Sequence, residues 1–173
     1  PPRPCAGAVI APPVQAVGGE AALGGVAAER IAGSFEVGAA QMSGTFVSLV
    51  ASPALYRVTI SLEGFGEFHQ GLWQGTAWDD DTMQGPRVLD AEAAHVRSLR
   101  ADPQADLHYA THFKTLETTG FTEFQEQPVV AVHCVTEQGY EQTDYFSTES
   151  GLLVGRKFVE PMGDGGGIDM TLA

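Results

Sequence analysis

Within residues 55–63, LYRVTISLE, apolar and polar side chains alternate strictly from Tyr56 to Glu63. A period of two places successive side chains on opposite faces of an extended strand. The segment is therefore predicted to be a β-strand with one buried face and one solvated face. The apolar positions are Tyr56, Val58, Ile60 and Leu62, and the polar positions are Arg57, Thr59, Ser61 and Glu63.

The same period of two recurs along most of the chain. Glycines separate several of these segments, and Gly139 and Gly151 are predicted to take positive φ in the turns of a C-terminal meander. About nine short strands result, without the strand–helix–strand rhythm of a parallel sheet. Besides 55–63, the predicted strands are residues 31–37, 42–50, 67–78 (one strand or a pair), 112–118, 121–125, 129–136, 140–147 and 152–160.

Two segments have helical spacing instead. Residues 14–28 form a weak pattern broken by four glycines, so only docking onto a sheet would hold a helix there. Residues 89–103 form a stronger one, with Asp90 as the N-cap and Pro103 near the end. The expected fold class is mainly β with one or two helices (α+β), a curved antiparallel half-barrel sheet packed on helices.

The length of 173 residues fits a single domain. Residues 1–13 contain five prolines and are predicted to be a leader or linker without regular structure. Residues 14–160 form the predicted domain, and residues 161–173 form a glycine-rich tail that is expected to be loose. The chain starts with proline rather than methionine, which suggests a removed secretion signal and a periplasmic or otherwise exported protein.

The net charge argues against polyanionic partners. Lys and Arg total 9 against 22 Asp and Glu, a formal net charge of -13, so nucleic acid and anionic membrane surfaces would repel the chain. No apolar run approaches the ~18 residues that a transmembrane segment needs.

The sequence contains no clear acid/base, metal-binding or reactive-thiol site. Cys5 and Cys134 have no metal or redox spacing, and they either form one disulfide or remain a terminal and a buried thiol. The run 79–81, DDD, would point alternately to opposite faces of a strand, so it is interpreted as a solvated corner rather than a metal site. Neither a cofactor nor a metal ion is expected.

The histidines offer three weaker hypotheses. His108 and His112 have the spacing of a helical metal pair, but the surrounding residues favour a strand start, which would separate them by about 13 Å. A hydrolase or isomerase would need an acid/base pair, either Glu92 with His95 or Glu67 with His69. We find no G-x-S-x-G elbow or phosphate-binding glycine loop, so a catalytic function is not expected.

The order of elements resembles a known family. The segments VGGEAAL, IAGSFEV, SGTFVSLVASPALYRVTISLEGFGEFHQGLWQGTAWDDDTMQGPRVLDAEA and TDYFSTESGLLVGRKF are similar to the LolA/LolB-like domains of exported bacterial lipoprotein carriers, over roughly residues 17–160. The resemblance implies a half-open curved sheet whose concave face is closed by helices and holds acyl chains. The arginine that the dedicated carrier uses inside its cavity has no counterpart here, since Arg30 and Arg57 both fall on polar faces by their alternation.

The sequence therefore predicts an exported module that binds a lipid or apolar small molecule, with a lipoprotein or another exported protein as a further partner. The same side chains could instead fill a dry core. The alternative function is a non-catalytic protein-interaction or accessory domain that uses a sheet edge or an acidic face. The predicted ligand-binding residues are Phe35, Phe46, Tyr56, Val58, Ile60, Leu62, Phe68, Trp73, Trp78, Val132 and Phe146.

Overall fold

The computed structural model describes residues 4–16, 18–37, 42–161 and 166–172. These residues divide into two compact units. The six-stranded unit comprises described residues of 26–103 and 161–166, and the five-stranded unit those of 1–25, 104–160 and 167–173. In chain order the elements are α1 (Ala6–Ala16), α2 (Gly19–Leu23), β1 (Ala28–Val37), β2 (Met42–Ala51), β3 (Leu55–Leu62), β4 (Gly66–Trp73), β5 (Thr76–Asp81), β6 (Arg87–Val88), α3 (Ala91–Arg100), a 3-10 turn (Ala105–Leu107), α4 (Tyr109–His112), β7 (Thr115–Phe124), β8 (Gln127–Val135), β9 (Glu141–Ser147), β10 (Leu153–Pro161) and β11 (Gly167–Leu172).

The six-stranded unit is an antiparallel meander in the order β1-β2-β3-β4-β5-β6, with α3 packed mainly on β3, β4 and β5. Residues directly opposite each other on neighbouring strands share a face of the sheet. The face that carries α3 is called the helix-side face, and the other the opposite face. The core of this unit lies between α3 and the helix-side face, and its buried residues are Val50, Tyr56, Val58, Leu72, Ala77, Ala93 and Ala101.

The five-stranded unit is a second antiparallel sheet in the order β11-β10-β9-β8-β7. Tyr109 of α4 lies beside Phe113, which directly follows this helix, and Tyr109 also contacts Phe146 of β9, with ring centroids 6.5 Å apart. Val132 and Cys134 of β8 are fully buried. The short helix α4 and the residue that follows it therefore supply two aromatic side chains to the core of this unit.

The predicted class, mainly β with antiparallel strands and a few helices, is confirmed, and the strands form one sheet in each unit. Asp90 caps α3 as predicted, because its side chain accepts a hydrogen bond of 2.9 Å from the amide of Ala93. Gly139 and Gly151 have the expected positive φ in their turns. Among the described residues, the longest helices fall short of the length and apolar character needed to cross a membrane.

Both ends of the chain are more regular than predicted. Residues 6–16, expected to be an irregular leader, form α1 despite Pro12 and Pro13 inside the helix. Prolines remove helical hydrogen bonds, and docking compensates: α1 packs on α2 and β7 and buries Val9. The tail, expected to be loose, contains the paired strand β11, which main-chain pairing with β10 holds even though its side chains are exposed.

Two local predictions are also wrong. The two strands predicted over 112–118 and 121–125 are replaced by one strand, β7 (Thr115–Phe124), whose register with β8 shifts between Thr118 and Gly120. His112 ends the helical turn α4 rather than starting a strand, and the rings of His108 and His112 lie 5.9 Å apart instead of about 13 Å. The helical prediction for residues 14–28 is confirmed in part, because the end of α1 and all of α2 lie in this range, whereas Ala28 already belongs to β1.

Candidate functional site

Two phenylalanine rings lie flat against glycines on the helix-side face of β1 and β2. A Cβ atom added to Gly33 would lie 2.8 Å from Cε1 of Phe46, and one added to Gly44 would lie 2.7 Å from Cζ of Phe35. Each ring thus occupies the space that a side chain on the neighbouring strand would need. Glycine at these two positions lets the aromatic rings spread along the sheet surface instead of standing away from it.

Three further apolar side chains continue this surface. Ile60 lies directly opposite Phe46 on β2 and opposite Phe68 on β4, and Leu62 lies opposite Gly44. All are half-buried rather than buried. We call this surface the apolar floor, which consists of Phe35, Phe46, Ile60, Leu62 and Phe68.

The helix α3 divides the helix-side face into two parts. Tyr56 and Val58, which were predicted as ligand contacts, are buried in the core with Ala93 and Ala101. Phe46 and Ile60 of the apolar floor only border that core, with one side packed against it. The helix-side face is therefore a dry core near α3 and an incompletely covered apolar surface beyond it.

The two tryptophans predicted as ligand contacts lie on the opposite face. Trp78 is directly opposite Gly71, and an added Cβ at Gly71 would lie 2.5 Å from Cζ2 of its indole, so the indole lies flat on β4. Trp73, on the same face, is 58% exposed. A ligand on the apolar floor would not contact either indole.

The remaining predicted contacts, Val132 and Phe146, belong to the five-stranded unit. They are 0% and 2% exposed and form part of its core. The eleven predicted residues therefore divide into the five of the apolar floor, two in the core beneath α3, two on the opposite face and two in the other unit.

An open groove of about 650 Å³ follows strands β1, β2 and β3. Only Phe35 and Leu62 of the apolar floor are among its lining residues. Ser34, Thr45 and Ser61 also line it, and they form one cross-strand row on the opposite face. The groove is thus hydroxyl-rich and largely distinct from the apolar floor.

The aspartate run is an ion-pair network rather than a solvated corner. Residues 79–81 complete β5, and Asp79 and Asp81 share the helix-side face. Arg87 donates to both, from Nη2 to Asp79 at 3.0 Å and from Nη1 to Asp81 at 2.5 Å. The hydrogen bond from Arg87 holds the pKa of Asp81 below its usual range. The expectation failed because the cation comes from β6, beyond the Gly85-Pro86 turn.

Arg97 of α3 joins this network from the core side and is only 1% exposed. Its Nη2 donates to Asp79 at 2.7 Å and to Gln70 at 3.2 Å, while Nη1 donates to the carbonyl of Trp78 at 2.6 Å. A buried guanidinium needs such partners, since an uncompensated buried charge is strongly destabilising. The network therefore fixes α3 on the sheet. Both carboxylate oxygens of Asp79 already accept hydrogen bonds from arginines.

A second buried polar cluster lies in the five-stranded unit. Asp144, 0% exposed, accepts hydrogen bonds from Tyr109 (2.5 Å), Arg156 (2.6 and 2.9 Å) and Gln142 (3.0 and 3.1 Å). Burial, with the neighbouring Asp144 charge, raises the pKa of Tyr109 well above its usual value. The phenol thus stays protonated as a donor, and the cluster links α4 to β9 and β10 as a structural centre that the sequence analysis missed.

Of the predicted acid/base pairs, Glu67 and His69 approach each other. His69 Nε2 is 3.6 Å from Glu67 Oε2, and His69 Nδ1 is 3.2 Å from the hydroxyl of Thr59. These side chains lie on the opposite face, and Glu67 is largely exposed, so the pair is not enclosed from water. In the other pair, Glu92 is exposed and burial lowers the pKa of His95.

The cysteines are both free thiols. Cys5 is exposed and Cys134 is buried. Burial raises the pKa of the Cys134 thiol, so this side chain behaves as a small apolar residue of the β8 core. The sequence allowed either a disulfide or two separate thiols, and the structure contains two separate thiols.

Comparisons with known proteins give remote likenesses only. No protein-family model and no curated protein matches the sequence. Among solved structures, the chain is similar to a DUF1329 family protein from Desulfovibrio piger, with a TM-score of 0.46 and 8% identity over 90% of this chain and 74% of that one. It is also similar to two structures of MucB in complex with MucA, one from Pseudomonas aeruginosa, with TM-scores of 0.39 and 0.38 and identities of 12% and 11%.

The chain matches 96% and 97% of its own length to these MucB complexes but spans only 54% and 56% of theirs. The resemblance to LolA/LolB-like domains remains a prediction from the sequence.

Proposed function

We propose that the protein is an exported, non-catalytic binding module whose six-stranded unit holds an acyl chain or another apolar ligand on the apolar floor. The observation that supports this most directly is the position of the Phe35 and Phe46 rings. They lie flat on Gly44 and Gly33, outside the core that α3 completes, and remain half-buried. Contiguous apolar surface of this kind often marks a ligand site.

The energetics suit a flexible apolar ligand. Each buried CH₂ group gains about 0.8 kcal/mol, so an acyl chain that buries about ten of them gains about 8 kcal/mol before its ordering entropy is subtracted. The rings, Ile60 and Leu62 offer no charged group to the ligand, so shape and apolar area would decide affinity. We therefore expect moderate affinity and low selectivity among chain lengths.

The LolA/LolB-like resemblance extends this proposal. In that family the apolar ligand belongs to a lipoprotein or lipid, and the proteins are periplasmic. A lipoprotein carrier or lipid sensor is thus the specific form of the proposed function.

Ligand occupancy can be tested on the protein purified from a bacterial host. Native mass spectrometry, followed by organic extraction, is expected to reveal co-purified acyl material that a fluorescent fatty acid displaces. A protein with a clean apo mass that also fails to bind the fluorescent fatty acid would contradict the proposal.

A matched pair of variants locates the site. Leu62→Asp and Ser61→Asp add the same charge at adjacent positions of β3, on the helix-side and opposite faces respectively. We expect Leu62→Asp to weaken fatty-acid binding by about tenfold or more, since a carboxylate would be buried beneath the acyl chain. Ser61→Asp should stay within about twofold of the parent. A larger loss in Ser61→Asp would place the ligand in the hydroxyl-lined groove and refute the apolar floor.

A further inference from the structure

We propose that the free edge of β1 is a docking site for an extended acidic segment of a partner protein, which adds to the six-stranded sheet as another strand. β1 is the terminal strand in the sheet order, and within the described part of the chain its sheet partner is β2 alone. This inference is independent of the proposed lipid binding, because it concerns the edge of β1 and residues outside the apolar floor.

The β1 edge is long and regular, and its protection against strand addition is limited to charged side chains such as Glu29 and Arg30. Ten consecutive residues, Ala28–Val37, pair with β2 without a shift in register. The strand contains neither proline nor bulge, and residues 28–34 are all exposed. Long regular edges offer a row of free backbone N–H and C=O groups, and natural sheets usually shorten, bend or cover them. A partner strand is the simplest cover for such an edge.

Charge indicates the chemistry of the partner. Arg30 of β1 lies opposite Leu49, which lies opposite Arg57 of β3, so the two arginines flank one leucine on the opposite face. Both are exposed, and neither forms an ion pair with any residue that the structure describes. By contrast, the guanidinium groups of Arg87 and Arg97 contact carboxylates.

Unpaired cations stand out in a chain with a net charge of -13. At separations within the Debye length of about 8–10 Å, the two arginines would attract carboxylates despite the overall charge. The acidic residues of the added strand would therefore lie on the opposite face, beside Arg30.

The helix-side face of β1 carries the charged Glu29 near its start and offers an apolar contact at Ile31. Ile31 is 46% exposed and lies on the helix-side face, one position from Arg30. Because side chains alternate along a strand, a segment with carboxylates facing Arg30 would present its intervening residues toward Ile31. The partner segment is thus expected to alternate acidic and apolar residues.

Two synthetic nine-residue peptides with the same dye test this: valine alternating with glutamate, and valine alternating with lysine. Fluorescence polarisation at low salt should show that the full chain prefers the glutamate peptide. Arg30→Glu should weaken that binding by about tenfold and reverse the preference. Lys157→Glu, in the five-stranded unit, changes the net charge equally and should alter binding by less than about twofold.

Hydrogen exchange gives the second readout. Binding of the glutamate peptide should slow exchange at backbone amides of residues 28–37, as new main-chain hydrogen bonds form. The proposal is overturned if neither peptide binds at millimolar concentration, if Arg30→Glu and Lys157→Glu have equal effects, or if the protected amides lie elsewhere. A failure of fatty-acid binding leaves these outcomes unchanged, so the two proposals are tested separately.

Discussion

Nη2 of Arg97 lies 2.7 Å from Oδ1 of Asp79, and this pair joins the helix α3 to strand β5 beneath the sheet surface. Asp79 is shared with Arg87, which also contacts Asp81. The network places two cations and two carboxylates at one corner of the six-stranded unit. Its role is structural, because each of these four charges faces an opposite charge within the network.

Removal of the shared carboxylate should be costly. Asp79→Asn leaves the guanidinium of Arg97 buried without its charge partner, and we expect a loss of about 3 kcal/mol in the free energy of unfolding. Urea denaturation measures it. Asp80→Asn is the control, since Asp80 lies between the two network aspartates but on the opposite face, and should change stability by less than about 0.5 kcal/mol. Equal losses in both variants would show that the network is not stabilising.

The buried cluster around Asp144 gives a second stability prediction. Tyr109→Phe removes the hydroxyl that donates to Asp144 and should destabilise the chain by about 1–3 kcal/mol. Tyr145→Phe is the matched control: the ring of Tyr145 stacks on Phe124 with centroids 4.5 Å apart, and phenylalanine keeps that contact. Thermal or urea unfolding of the two variants should differ clearly, and similar stabilities would contradict the role assigned to the Tyr109 hydroxyl.

The two thiols should react at very different rates. Burial raises the pKa of Cys134, so thiolate is scarce there, whereas Cys5 is exposed. A colorimetric disulfide reagent at pH 8 is expected to titrate one thiol in the native protein and two in guanidinium chloride. Reaction of two native thiols would contradict the burial of Cys134, and reaction of none after unfolding would indicate a disulfide.

The lowered pKa of His95 predicts how the stability of the protein changes with pH. Burial lowers its pKa below the unfolded value of about 6.5, so below that pH the unfolded state binds more protons than the folded state. The contribution of His95 to stability is therefore full above pH 6.5 and declines as the pH falls toward its folded pKa. His95→Gln removes this term, so the parent should lose more stability than the variant between pH 7 and 5. Parallel denaturation curves across that range would refute the prediction.

Local sequence patterns were enough to predict several elements of the six-stranded unit. The alternation in residues 55–63 predicted β3 and the face to which Tyr56, Val58, Ile60 and Leu62 belong, because a strand's side-chain period depends only on its own backbone. The N-cap at Asp90 was predictable for the same reason, since the cap is formed within the first turn.

Features that depend on distant residues were not predictable. The pairing of Asp79 with Arg97 depends on where α3 crosses the sheet, and the run of three aspartates does not indicate that position. Likewise, the helix α1 contains two prolines and exists through docking, so its propensity indicated the wrong structure. The apolar floor was predicted as part of a larger set, but which members α3 would bury could not be read from alternation.

The central claim, that an apolar ligand lies on the apolar floor, is tested most directly by photo-crosslinking with a diazirine fatty acid and residue-level mass spectrometry. The account predicts adducts on Phe35, Phe46, Ile60, Leu62 or Phe68, suppressed by excess unlabelled fatty acid and weakened in Leu62→Asp. Adducts confined to Trp73, Trp78 and their neighbours on the opposite face, or labelling that excess fatty acid does not suppress, would contradict it.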